Sequence, residues 1–104
     1  MVELNEKDFA EKVEQAQRPV LLDFSAVWCP PCVKLKPVIE RIALEFQGKL
    51  DVFGIDVDEN ALLSQRFNIV SVPTMIFFRS GKEVKKIIGL KDFDTMKREV
   101  EAVI

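Results

Sequence analysis

The sequence of 104 residues contains no histidine, and it has only two cysteines, four glycines and five prolines. Each shortage removes a class of protein. A zinc site of the usual thiolate and imidazole type takes about four ligands, so one copy of this chain does not supply it from cysteine and histidine. Secreted mini-domains stapled by disulfides carry more cysteines, spread along the chain. No apolar stretch approaches the ~20 residues that cross a bilayer, so no membrane association is expected. The opening residues, Met1 to Lys7, lack a basic segment followed by an apolar run, so a secretory signal is not expected and a cytoplasmic location is. There is no basic excess either. Fifteen Lys and Arg against seventeen Asp and Glu leave a net charge of −2, which offers no surface for a polyanion, and nucleic acid is not an expected partner.

What is present is a globular composition, 48% hydrophobic and 31% charged, with no bias towards disorder or fibres. The chain has the length of one ordinary domain, and it shows no repeat, low-complexity tract or linker, so residues 1–104 read as a single domain. Val2 to Leu4 reads as a short first strand. Asn5 can cap a helix running to about Gln17, with Phe9, Val13 and Ala16 inward. Val20 to Ser25 is nearly continuously apolar, the pattern of a strand buried on both faces. After it, Leu35, Val38, Ile39, Ile42, Ala43 and Phe46 recur at helical spacing, opposite Lys34, Lys36, Glu40, Arg41 and Glu45. Leu50 to Val57 reads as a second buried strand, Asn60 to Phe67 as a short helix, and Thr74 to Arg79 as a third long strand. Ser80-Gly81 then turns into Val84 to Ile88, paired antiparallel. Phe93, Met96, Val100, Val103 and Ile104 mark a closing helix. Strands alternating with helices and ending in a hairpin predict an α/β fold with a mixed sheet and helices on both faces. Sites in such sheets form beyond the carboxyl ends of the central strands, where Trp28-Cys29-Pro30-Pro31-Cys32 lies.

A bridge between Cys29 and Cys32 closes a very small loop and restricts the unfolded chain little, so stapling explains the pair poorly. Reactivity or metal binding explains it better, the metal then being shared between two chains. A dithiol carrier needs one sulfur exposed as a thiolate, and Cys29, at the exposed start of a helix, meets unpaired N–H groups and the positive end of the dipole, which favour it. Cys32 falls one turn inward, shielded and able to resolve a mixed disulfide. Pro30 and Pro31 occupy positions whose N–H groups a helix leaves unpaired anyway. Asp23 lies within an apolar strand, where burial should raise its pKa; a hydrogen-bonded aspartate without a catalytic part is the alternative. Trp28 alone would read as core, but it adjoins Cys29. Around Pro73 the residues indicate only a turn.

The pieces Asp23-Phe24, Ala26, Trp28-Cys29, Pro31-Cys32, Pro37, Asp56-Val57-Asp58, Val72-Pro73-Thr74, Gly81-Lys82 and Gly89, in this order and spacing, resemble the thioredoxin family over nearly the whole chain. The resemblance implies the thioredoxin fold, a five-stranded mixed sheet flanked by four helices. It implies that Cys29 attacks a substrate disulfide, that Cys32 resolves the intermediate, and that Asp23 shuttles a proton for Cys32. Pro73 would be a cis-proline facing the cysteines, Val72 would offer its backbone to the client, and Trp28 and Gly89 would line the docking groove. Three positions depart from the family pattern. Pro30 stands in place of the usual glycine and bears with Pro31 on the redox potential. Gly54 stands where bacterial members commonly have a lysine near the buried aspartate. Ser25 stands where many have an aromatic residue.

The expected function is that of a protein-disulfide reductase with a Cys-Pro-Pro-Cys site. A disulfide oxidase or isomerase of the same fold is the alternative, and a non-catalytic interaction module a more remote one. The expected partners are client proteins with disulfides and an electron donor of the thioredoxin reductase type. No cofactor and no metal are expected, and a monomer is.

Overall fold

Val20–Ser25 is apolar at nearly every position because it is a central strand, covered on both faces. The computed structural model describes all 104 residues. Five strands form one mixed sheet: β1 (Val2–Glu3), β2 (Val20–Ser25), β3 (Asp51–Asp56), β4 (Thr74–Arg79) and β5 (Lys82–Ile88), in the spatial order β1-β3-β2-β4-β5. β3 runs parallel to β1 and β2, whereas β4 runs antiparallel to β2 and β5. Three longer helices, α1 (Pro30–Glu45), α2 (Ala61–Arg66) and α3 (Phe93–Val103), join a helical segment near the N-terminus. No helix is long and apolar enough to cross a membrane.

Alternation along the strands sorts their side chains onto two faces. Leu21, Met75 and Phe77 pack against Leu35, Ile39 and Ile42 of α1 and Met96 and Val100 of α3. Leu22, Phe24, Ile76 and Phe78 face the other way, against Phe9, Val13 and Leu63. Each fully buried Leu, Ile or Phe contributes about 1.5–3 kcal/mol, so the two layers together fix β2 and the chain end that leaves it.

The expected strands and helices are all present, with three local differences. Residues 5–17 do not form one regular helix: a 3₁₀ turn at Glu6–Asp8 leads into a wider, π-type turn at Ala10–Glu14. Asn5 caps the start through its side-chain oxygen, which accepts from the Lys7 amide at 3.0 Å. The far end is set by packing, because the Glu14 carbonyl is pressed against Gly81, where a Cβ would lie 2.8 Å from its oxygen. β5 begins at Lys82 rather than Val84, since Ser80 and Gly81, both at positive φ (53° and 77°), form a two-residue turn that pairs Arg79 directly with Lys82. Ile104 lies beyond α3 and is exposed, so it is not part of the inner face.

Candidate active site

β2 ends at Ser25, and the loop that follows delivers Cys29 as the N-cap of α1. Its extended backbone (φ −100°, ψ 109°) turns the chain into the helix, and Pro30 and Pro31 fill the first two helical positions. The sulfur itself caps the helix: the Cys32 amide donates to Cys29 Sγ at 3.3 Å. Cys29 and Cys32 are joined as a disulfide across a Cα separation of 5.2 Å. The structure is therefore the oxidised form of the pair. No three or more metal-ligating side chains cluster anywhere in the molecule.

Both cysteines are buried, each only 4% exposed. This corrects the expectation of an open Cys29 beside a shielded Cys32, and the reason is tertiary. The segment before β4 closes over Cys29, bringing the Val72 carbonyl oxygen within 3.7 Å of its sulfur. The two sulfurs differ instead in what they border. Cys29 lines a cavity of about 450 Å³ together with Trp28, Pro30, Pro31, Ile69 and Val72. Cys32 lines a second one of about 480 Å³, with Asp23, Glu3, Lys36 and Asp56. The pair thus spans a largely apolar groove on one side and an acidic recess on the other.

The groove is braced from three elements. The Val72–Pro73 peptide is cis. The Thr74 hydroxyl donates to the Ser71 carbonyl at 2.7 Å, and the Gly89 amide donates to the Pro73 carbonyl at 2.9 Å. Gly89 is thus tied to Pro73, while the groove wall itself is formed by Val72 and its neighbours. Trp28 is 66% exposed, and its Nε1–H donates to Asp58 Oδ2 at 2.8 Å, so the ring is held over the groove rather than packed in the core.

On the other side, Asp23 is 2% exposed and its Oδ1 has no hydrogen-bond partner in the protein. Burial pushes its carboxyl from 3.8 up to about 7, and the nearby negative charge of Glu3 adds to the shift. A carboxyl that titrates near neutrality can accept and release a proton under ordinary conditions. Glu3 and Asp58 carried no role in the sequence reading. Asp58 belongs to the Asp56-Val57-Asp58 run, but its contact with Trp28 spans 30 positions, and nothing local signals it.

The family profile for thioredoxin matches residues 1–102. A thioredoxin of Mycobacterium tuberculosis (strain H37Rv) is 40% identical over 103 residues, covering 99% of this chain and 89% of that protein. A thioredoxin of Staphylococcus aureus is 38% identical over 91 residues, 88% of this chain and 86% of its own length. A bifunctional thioredoxin reductase/thioredoxin of Mycobacterium leprae is 40% identical over 103 residues, and this chain spans 22% of that protein's length.

Proposed function

Because the chain belongs to the thioredoxin family, and is a thiol–disulfide oxidoreductase of the protein-disulfide reductase kind, we propose that Cys29 is its attacking thiol, Cys32 its resolving thiol and Asp23 the proton acceptor of the second step. In this reading residues 1–104 act as one thioredoxin domain with a Cys-Pro-Pro-Cys site. The observation that carries it is the division of the disulfide between two cavities, Cys29 facing a largely apolar groove and Cys32 facing a buried carboxyl.

The steps follow from that division. In the reduced protein the Cys29 thiolate attacks one sulfur of a client disulfide; a Cys29–client bond forms, and the client's other sulfur leaves as a thiolate. Cys32 then gives its proton to the Asp23 carboxylate and attacks Cys29 Sγ. The Cys29–client bond breaks, the client's second thiolate departs, and the Cys29–Cys32 disulfide closes. Two electrons have moved to the client. The Cys32 amide, which points at Cys29 Sγ, and the N-terminus of α1 favour the anion that attacks and later leaves. Trp28 and Val72 line the client's docking groove, Pro73 and Gly89 brace it from behind, and Pro30 and Pro31 tune the potential by removing two N–H groups from the neighbourhood of the sulfur.

Disulfide clients are the partners the family implies, and the pair needs a dithiol donor to be recharged. A donor of the thioredoxin reductase type fits, and the Mycobacterium leprae relative is named for both activities in one chain. A reductase works where the surrounding thiol pool is reduced, a condition the cytoplasm meets, and this supports a cytoplasmic protein; in this reading it acts as a monomer. Dithiothreitol-driven reduction of insulin, read as turbidity, tests the activity: the parent should accelerate it and Cys29→Ser abolish it. Cys32→Ser should instead accumulate a mixed disulfide through Cys29. Insulin reduction no faster than with dithiothreitol alone would refute the reading.

A further inference from the structure

Glu3, Gly54 and Asp23 form one row across three adjacent strands. In the parallel register Glu3 of β1 pairs with Gly54 of β3, and Gly54 pairs with Asp23 of β2. Residues in register on parallel strands project to the same face, so only the missing side chain of Gly54 separates the two carboxylates. Glu3 makes use of the gap. Its Oε2 lies in the space that a Cβ on Gly54 would fill. Gly54 is buried beneath it, while Glu3 itself is exposed at the sheet edge. Both acids line the recess that Cys32 borders.

From this row we infer that Glu3 is a positioning residue for the resolving step: its carboxylate, laid across Gly54, governs when Asp23 can take the proton of Cys32. The inference rests on the proposed role of Asp23 and adds to it the residue that tunes it. The other charged groups around the recess do not replace Glu3. The Met1 amino group is paired with Glu40 at 3.4 Å. Lys36 stands on the facing helix α1, and on β3 the Oδ1 of Asp56 accepts a hydrogen bond from the Asp58 amide at 2.9 Å. Glu3 alone lies in the row. A negative charge there disfavours a second one on Asp23, so Asp23 keeps its proton to higher pH than burial alone would make it do.

The test is the titration of the Asp23 side-chain carboxyl, followed by carbon NMR in the oxidised full chain, together with the pH profile of the resolving step in the reduced chain. Glu3→Gln keeps the shape and removes the charge. It should lower the Asp23 midpoint by about half a unit to one unit, and the resolving profile should move by the same amount. Gly54→Ala leaves the charge but takes its seat, displacing only the flexible end of Glu3, and should lower the midpoint as well. An unchanged midpoint in Glu3→Gln would overturn the inference, and a change there without one in Gly54→Ala would overturn the seating across Gly54. Failure of the underlying reading looks different: Asp23→Asn would then resolve mixed disulfides at the parent rate, whatever the midpoint does in the Glu3 variant.

Discussion

Asp23→Asn should gain stability relative to the parent as pH rises, and above neutrality the oxidised variant should be the more stable of the two. The carboxyl titrates at about 7 in the folded chain against 3.8 ordinarily, so the folded state holds this proton more tightly than the unfolded state does. Between those two values the native protein binds more protons, and stability falls as pH rises. The loss is complete above about pH 7. A gap of about 3 units at about 1.4 kcal/mol each makes it about 4 kcal/mol, a large share of the 5–15 kcal/mol that holds a typical domain together. Asparagine has no such proton to lose. It does bury an amide where Oδ1 already lacks a partner, which costs about 1–3 kcal/mol at every pH. The variant should therefore be less stable than the parent by about 1–3 kcal/mol in acid and more stable by about 1–3 kcal/mol in mild alkali. Urea unfolding of both proteins as disulfides, across that pH range, measures the difference while the thiols are kept out of the titration. A difference that stays flat with pH would refute the raised titration of Asp23, and with it the fitness of this carboxyl as a proton acceptor near neutrality.

Limiting iodoacetamide added to the reduced protein near neutral pH should alkylate Cys29 before Cys32, because Cys29 faces the open groove and the helix N-terminus; peptide mapping that finds Cys32 modified first would reverse the assigned roles. Pro30→Gly should raise the reduction potential, by about 30 mV for each ~1.4 kcal/mol, since a glycine amide would join the Cys32 amide as a donor near the Cys29 sulfur. Equilibration against glutathione reads this directly, and a more reducing variant would show that the loop's rigidity matters less than its strain. Gly81→Ala should lower the urea midpoint by the equivalent of about 1–3 kcal/mol, because φ is +77° there and the added methyl would meet the Glu14 carbonyl; an unchanged midpoint would mean that the hairpin and the N-terminal segment are not held together at this point.

Much of this was legible along the chain because the physics there is local. The β2 run announces its burial on both faces, and its position before the cysteine loop places the site at a strand end. The α1 stripe of Leu35, Ile39 and Ile42, continued by Phe46 at the helix end, is buried as its spacing requires. Where the sequence reading failed, a distant segment made the decision. Residues 6–14 carry a good helical pattern, yet they form a 3₁₀ and a π-type turn, and their far end is pressed against Gly81 of the β4–β5 hairpin. Cys29 is buried not by its neighbours Ala26 and Cys32 alone but also by Val57 and Val72, the latter 43 positions away. The row from Glu3 to Asp23 depends on strand register, and register across non-consecutive strands cannot be read from spacing, since a shift of one residue would send Glu3 to the opposite face.

The same register explains why a destabilising group is kept at the centre of the sheet. An aspartate at the edge would titrate with the ordinary carboxylates and would stay ionised at neutral pH, a poor match to a thiol proton. Only burial moves it into the working range, and burial is what weakens the fold. The disulfide end of the site shows the opposite economy: Cys29 caps α1 with its own sulfur, so the amide that completes the helix also stabilises the attacking anion, and function adds no separate cost. The protein thus concentrates its sacrifice of stability in one residue, Asp23. If that is so, Asp23→Asn and Pro30→Gly should separate cleanly: the first should change stability and the rate of resolution with little effect on which cysteine is alkylated, and the second should change potential with little effect on the pH dependence of unfolding. The two sites of action lie on opposite sides of the disulfide, one in the recess and one in the groove, and that division is what the pairing of these variants examines.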